Sequence, residues 1–324
     1  MCKCLYCYKE LEPGQVDFHP SCSKKMFGIK EQPLMEYTQA DMERLATEII
    51  RSQTTLTGVQ AKLSLNLADH EGSKRLTIVG LWGQYVFKPQ TELYERLPEV
   101  EDLTMHLAED AKLSVARHSL IRLADGSLGY ITRRFDRGAK GEKVLMEDMC
   151  QLAERKTEDK YKSSYEQVAK LITQYSAIPQ LDLTNFYELL IFCFLTGNND
   201  MHLKNFSLYK PANQQVFTPA YDLVNVALVN PKDKEEMALT LNGKKSNIRL
   251  CDFEEAAKHA NLPEHFIRQT VERFVSCLPK WEETIDRSFI TQEQKDAYKS
   301  LLRDRLKRLT TTSSGGRDRR GGKE

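Results

Sequence analysis

Thr196-Gly197-Asn198-Asn199-Asp200-Met201-His202-Leu203-Lys204-Asn205-Phe206 is the stretch on which the reading of this chain turns. An apolar helical run, Phe186 to Leu195, leads straight into it, and apolar residues resume at Phe206. A dense polar loop is therefore gripped between buried elements. Asp200 and Asn205 are five residues apart, and Tyr221-Asp222 brings a second carboxylate seventeen residues after Asn205. Upstream, Val86-Phe87-Lys88 puts a lysine at the end of an apolar strand, and Glu101 stands near the start of the helix that follows.

These are the parts that phosphoryl transfer needs. A strand lysine can hold nucleotide phosphates, and a glutamate on the next helix can pair with it. One aspartate can accept a hydroxyl proton, while an asparagine and a second aspartate hold magnesium. Catalysis is then mostly positioning and charge neutralisation. The spacing from Asp200 to Asn205 is that of a protein-kinase catalytic loop. Taken singly, each residue has an ordinary explanation. A strand lysine is mostly a solvated edge residue, Asp222 suits a turn, and Glu101 suits the first turn of a helix. The assignment rests on Lys88, Glu101, Asp200, Asn205 and Asp222 occurring together in this order.

The rest of the chain predicts an α+β fold with two lobes of kinase type. Residues 40–52 have helical spacing, with Met42, Leu45, Ile49 and Ile50 on one face. Thr54 to Leu65 reads as strand, glycine turn and strand. Leu76 to Val79 and Gln84 to Lys88 are short strands, and Val100 to Ala111 is a helix. Ser119 to Ala124 and Leu128 to Phe135 flank the hairpin signal Asp125-Gly126. After Gly138 the pattern turns helical: Glu166 to Ser176, Asn185 to Thr196 with Asp182 or Thr184 as its cap, Asp252 to Ala260, Pro263 to Phe274 and Thr291 to Leu309. The predicted units are an N-terminal knuckle (1–30), a strand-rich N-lobe (40–135), a helical C-lobe (136–309) and a polar, glycine-rich tail (310–324) expected to be disordered.

Composition narrows the partners. The 324 residues suffice for two lobes with buried cores. Forty-seven Lys and Arg against 46 Asp and Glu leave a net charge of +1. Such a chain has no global field favouring direct contact with nucleic acid or an anionic membrane. It has no apolar run of spanning length and no signal-peptide core at its start, so a cytoplasmic location with reduced thiols is expected.

Several separated strings resemble the HipA family of bacterial toxin kinases. They are Gly58-Val59-Gln60-Ala61-Lys62, Arg134-Phe135-Asp136-Arg137, Glu147-Asp148-Met149-Cys150-Gln151, Asn199 to Ser207, and Thr218-Pro219-Ala220-Tyr221-Asp222. The resemblance runs from about residue 50 to about residue 300. It implies a serine/threonine kinase using ATP and Mg2+, with Asp200 as catalytic base and Asn205 and Asp222 as magnesium ligands. It places Lys88 on the nucleotide phosphates, with Glu101 as its partner, and puts His202, Lys204 and Tyr221 beside them. Thr57 and Gly58 to Lys62 occupy the loop over the ATP phosphates. Arg133 to Phe135, with Arg133 where the family often has glutamate, fall at the hinge that meets adenine. Thr55 and Thr57 match positions of autophosphorylation, where added negative charge would oppose ATP binding. The resemblance also implies a HipB-like DNA-binding antitoxin and a translation-related protein substrate such as an aminoacyl-tRNA synthetase. Because the chain starts nearly at the kinase core, it looks like the shorter, HipT-like branch, whose partner is a separate small HipS-like protein.

Eight cysteines need an account in a reducing compartment. Cys150, Cys193, Cys251 and Cys277 are scattered and read as small buried side chains. Cys4-x2-Cys7 and His19-x2-Cys22, with eleven residues between the pairs, have the ligand types and spacing of a tetrahedral structural zinc site, and Cys2 is an extra thiol. Two other functions stay open on the sequence alone. One is a small-molecule phosphotransferase on the same scaffold; the other is a non-catalytic ATP- or partner-binding regulator.

Overall fold

The computed structural model describes residues 2–52, 62–80, 82–138 and 141–311, with the side chains of 46–52 excepted. Thr54 to Ala61, and with them Thr55 and Thr57, lie outside the described residues, as does the tail beyond 311.

The chain opens with a compact knuckle in which Lys3 bridges Glu10, followed by helix α1 (Pro20–Phe27). Helix α2 (Gln39–Ser52) leads to strands β1 (Leu63–His70), β2 (Ser73–Val79) and β3 (Tyr85–Lys88). Helix α3 (Leu97–Asp110) and strands β4 (His118–Arg122) and β5 (Leu128–Arg133) complete the strand-rich lobe. The five strands form one antiparallel sheet in the order β2-β1-β3-β5-β4. Lys88 pairs with Tyr130 in the register of β3 and β5, which fixes the end of its strand over the cleft. The long β1–β2 hairpin turns at Glu71-Gly72, both with positive φ, whereas the glycine turn read at Gly58 lies outside the described residues. Both outer strands are covered. The Leu120 amide on β4 donates to the Leu5 carbonyl (3.3 Å), and Leu34 exchanges hydrogen bonds with Lys74 and Leu76 beside β2 (2.9 Å each). Unpaired sheet edges invite association, and here chain segments from the N-terminal side close them.

The helical lobe contains β6 (Met146–Asp148), the single turn α4 (Met149–Leu152), α5 (Tyr165–Tyr175), α6 (Pro179–Thr196), β7 (Ser207–Tyr209), β8 (Val216–Phe217) and the turn α7 (Val226–Val229). Helices α8 (Leu250–His259), α9 (Phe266–Arg287) and α10 (Gln292–Thr310) follow, with Thr291 capping the last through a Thr–Gln capping box. Strands β6, β7 and β8 form a second, small antiparallel sheet. Helix α6 is the centre of this lobe. From Phe186 to Thr196 nearly every side chain is buried, as expected for a helix packed on all sides. It starts at Pro179, earlier than the sequence suggested. Neither Asp182 nor Thr184 caps it. Asp182 lies inside the helix, where its carboxylate accepts from the Ser176 hydroxyl (2.5 Å) and the Phe217 amide (2.8 Å), tying α6 to β8. Helix α9 runs on past Phe274, the end read from the sequence, to Arg287 and contains Pro279. Of the scattered cysteines, Cys150 and Cys193 are buried, Cys277 is half-buried and Cys251 is exposed, so the buried reading fails at Cys251. Among the described residues no helix is long and apolar enough to cross a membrane.

Candidate active site

Gly197 ends α6 in the left-handed conformation (φ +76°), and the Asn198 amide returns to the Cys193 carbonyl (2.9 Å). A glycine is required, because a Cβ would also press into Asn225, Leu301 and Ala227. This tight exit delivers Asn198, Asn199 and Asp200 into a cleft of about 1480 Å3 between the lobes. Lys62, Lys88, Glu101, Arg133, Phe135, His202, Lys204, Asn205, Tyr221 and Asp222 line the same cleft. Of the residues singled out from the sequence for this site, all of the described ones therefore meet at one place.

The electrostatic centre is a chain of charges that runs from the buried Glu101 and Lys88 through Asp222 to the exposed Lys62. The Lys88 ammonium donates to Glu101 Oε1 (2.6 Å) on α3 and to Asp222 Oδ1. Lys62 donates to Asp222 Oδ2 (2.7 Å). Burial acts to raise the Asp222 carboxyl, but Lys62 and Lys88 outweigh it and hold the group well below the ordinary carboxylate range. Burial acts to lower Lys88, and its two carboxylate neighbours outweigh that, so it stays an ammonium. Glu101, fully enclosed, is pushed up to about 7 by desolvation, partly countered by Lys88. Asp222 also adopts a left-handed backbone (φ +58°). Such strain in a non-glycine residue is retained where surrounding structure fixes it, commonly at functional sites.

Asn205 donates from its side-chain amide to the Asp200 carbonyl (3.1 Å), spending the nitrogen and leaving the side-chain oxygen as the ligand atom for a hard cation. With the ionised Asp222 carboxylate, this donor set suits Mg2+. His202 is buried, and among the described residues its Nδ1 has no hydrogen-bond partner. Burial lowers it to about 4, so it is a neutral ring at pH 7. The amides of Arg133 and Arg134 are spent on the carbonyls of Arg117 (2.7 Å) and Gln84 (2.8 Å). Phe135 packs against Tyr221 (5.8 Å) and Tyr209 (5.6 Å).

Two partners escaped the sequence reading. The Tyr161 hydroxyl donates to Asp200 Oδ1 (2.6 Å), although the segment around it carries no periodic signal. Asp148 caps α4 through the Gln151 amide (2.8 Å) while its other oxygen accepts from Lys204 (2.7 Å). The string Glu147 to Gln151 carries the family resemblance, but sequence alone assigns no role to Asp148. At the far end of the chain, the ligand atoms of Cys4, Cys7, His19 and Cys22 all lie within 4.8 Å of one another.

The model of the HipA-like C-terminal domain matches residues 54–281. The chain belongs to this family. Two relatives carry the name "Putative kinase". The protein from Haemophilus influenzae is 26% identical over 282 residues, covering 78% of this chain and 80% of that one. Y4dM from Sinorhizobium fredii is 28% identical over 282 residues, covering 81% and 66%. Among solved structures, the Shewanella oneidensis toxin–antitoxin complex of HipA, HipB and operator DNA matches with a TM-score of 0.67 at 20% identity, over 86% of this chain and 72% of that one. The Helicobacter pylori proinflammatory kinase CtkA matches with a TM-score of 0.53 at 15% identity, over 76% and 93%. The fold of this HipA-like protein is thus the kinase-like fold shared by the Shewanella HipA and CtkA.

Proposed function

We propose that the protein is an ATP- and Mg2+-dependent serine/threonine protein kinase, the toxin of a HipBA-type toxin–antitoxin pair. The observation that carries this reading is the meeting of Asp200, Asn205, Asp222 and the Lys88–Glu101 pair in one cleft. Asp200 accepts the proton of a substrate hydroxyl as the hydroxyl oxygen forms its bond to the γ-phosphorus; the bond to the β,γ-bridging oxygen breaks and ADP leaves. Lys88, held by Glu101, meets the transferring nucleotide's phosphates. Asn205 and Asp222 would hold Mg2+, which when bound would neutralise charge on those phosphates. In the structure Asp222 already carries two lysines, so nucleotide phosphates would draw Lys62 and Lys88 towards themselves and free the carboxylate for the metal. Gly58 to Lys62 would close over the phosphates, Arg133 and Phe135 would border the adenine, and Thr55 and Thr57 are the residues for self-phosphorylation.

The Shewanella HipA was solved with HipB and DNA. By that likeness a HipB-like antitoxin is the expected partner here. An aminoacyl-tRNA synthetase is the expected kind of substrate, and the cytoplasm the expected compartment. The test is labelling of a cell lysate with γ-labelled ATP, Mg2+ and purified protein. Label on serine or threonine of one or a few proteins is expected. Asp200→Asn should lower the rate about 10²–10⁴-fold, the range of a general base, while ATP still binds. Label confined to small molecules, or wild-type turnover by Asp200→Asn, would overturn the proposal.

A further inference from the structure

We propose that Cys4, Cys7, His19 and Cys22 bind one zinc ion, and that the zinc-bound knuckle is a strut that keeps α3, and with it Glu101, in place against Lys88. The second half rests on the kinase reading; the first does not.

The metal assignment stands on geometry. A tetrahedral zinc with Zn–S near 2.3 Å and Zn–N near 2.05 Å requires S···N edges of about 3.6 Å. Cys7 Sγ and Cys22 Sγ lie 3.5 and 3.7 Å from His19 Nδ1. The other ring nitrogen, Nε2, is 2.9 Å from the Glu10 carbonyl. A carbonyl can only accept, so Nε2 carries the proton and the Nδ1 lone pair faces the sulfurs, the second-shell arrangement that orients a metal-bound histidine. The four cysteines of the N-terminal region are free thiols. Cys4 and Cys22 are buried within a segment too short to build a core of its own, where metal binding supplies the folding energy.

The consequence lies in the residues beside the ligands. Lys3, Leu5 and Tyr8 flank Cys4 and Cys7, and each grips a different part of the kinase body. The Leu5 carbonyl accepts from the Leu120 amide (3.3 Å) and the Ser119 hydroxyl (3.1 Å) on β4. Lys3 donates to the carbonyls of Arg287 (2.6 Å) and Ser288 (3.0 Å) at the end of α9. The Tyr8 hydroxyl donates to Asp102 Oδ2 (2.6 Å), and Tyr8 stacks edge-on against His106 (4.6 Å) on α3. Asp102 is fully buried, and its other oxygen takes His118 Nδ1 of β4 (2.6 Å). Asp102 directly follows Glu101. Neighbouring helix positions point about 100° apart. Helix α3 is therefore held on one side by Lys88 and on another by the knuckle. Releasing the metal removes what fixes Lys3, Leu5 and Tyr8, and so loosens the helix that carries Glu101.

The test uses the purified full chain and three readouts. Metal analysis should find about one zinc per chain, reduced to less than half in Cys7→Ser. Hydrogen exchange of the α3 amides should speed up about tenfold or more on zinc chelation. Tyr8→Phe should keep its zinc, accelerate α3 exchange, and lower phosphoryl transfer about five- to tenfold, as for a lost hydrogen bond to a buried carboxylate. Less than half an equivalent of zinc in the wild-type chain sinks the metal site. Zinc present with α3 exchange unmoved by both chelation and Tyr8→Phe sinks the strut. A chain that binds zinc and protects α3 yet transfers no phosphate leaves the strut standing and refutes the kinase reading instead.

Discussion

Replacing Lys88 by methionine probes the charge chain most directly, because its two carboxylates would be left in different situations. Asp222 would keep Lys62 as a partner. Among the described residues, Glu101, fully buried, would lose the one hydrogen bond to its Oε1, and its Oε2 already has none. Removing one partner of a buried ion pair costs about 3–5 kcal/mol, and the carboxyl left behind responds by taking up a proton. The reverse change, Glu101→Gln, leaves Lys88 with Asp222 and an amide oxygen in place of the carboxylate, so a loss of about 1 kcal/mol is expected. The double variant strands nothing and should fall short of additivity by about 2 kcal/mol. The deficit of Lys88→Met should also depend on pH. A buried carboxyl raised in the folded state binds a proton that the unfolded chain does not, so it costs stability as pH rises. Wild-type Glu101, at about 7, is half-way through that change; in the variant it would stay protonated across pH 6 to 8. The gap to wild type should therefore narrow by roughly 1.4 kcal/mol from pH 8 to pH 6, one unit's worth. Urea unfolding followed by the fluorescence of the buried Trp281 measures all four proteins. A Lys88→Met deficit at pH 8 smaller than that of Glu101→Gln, or strict additivity, would refute the reasoning.

Tyr161→Phe uncovers Asp200 Oδ1. A hydrogen bond to a charged group is worth about 1.5 kcal/mol or more, so unmasking the base should raise kcat/KM about tenfold or more in steady-state assays; a fall would refute the masking role. Gly129→Ala places a Cβ inside the ring of Phe87, next to Lys88 in β3. A loss of about 1–3 kcal/mol in urea unfolding is expected for such overpacking, and an unchanged midpoint would show that Phe87 has room to move.

Legibility followed local chemistry. The Asp125-Gly126 turn announced the β4–β5 hairpin because Gly126 supplies the positive φ (+87°) that the turn needs. The polar loop after α6 was visible because its functional groups are consecutive in sequence and bounded by apolar runs. Glu71-Gly72 hid the β1–β2 hairpin, since glutamate seldom adopts the positive φ (+45°) it has here. Aspartate and threonine at a helix start commonly cap it, which is why the local pattern offers Asp182 or Thr184 for that role. The real partners of Asp182, Ser176 and Phe217, are set by tertiary packing. The strands β6, β7 and β8 are too short for periodicity to register. Tyr161 and the Asp148–Lys204 pair depend on contacts across 39 and 56 residues, which no local pattern encodes.

The closure of the five-stranded sheet bears on how this protein can be cut. Leu5 covers the β4 edge and Leu34 covers the β2 edge, and both precede residue 54, where the family's matched region begins. Helix α10, whose Tyr298 meets Thr104 of α3 (3.0 Å), follows residue 281, where that region ends. A fragment trimmed to residues 54–281 would bare two rows of backbone donors and acceptors at once. The stretch that matches the family is therefore smaller than the unit that closes its own sheet.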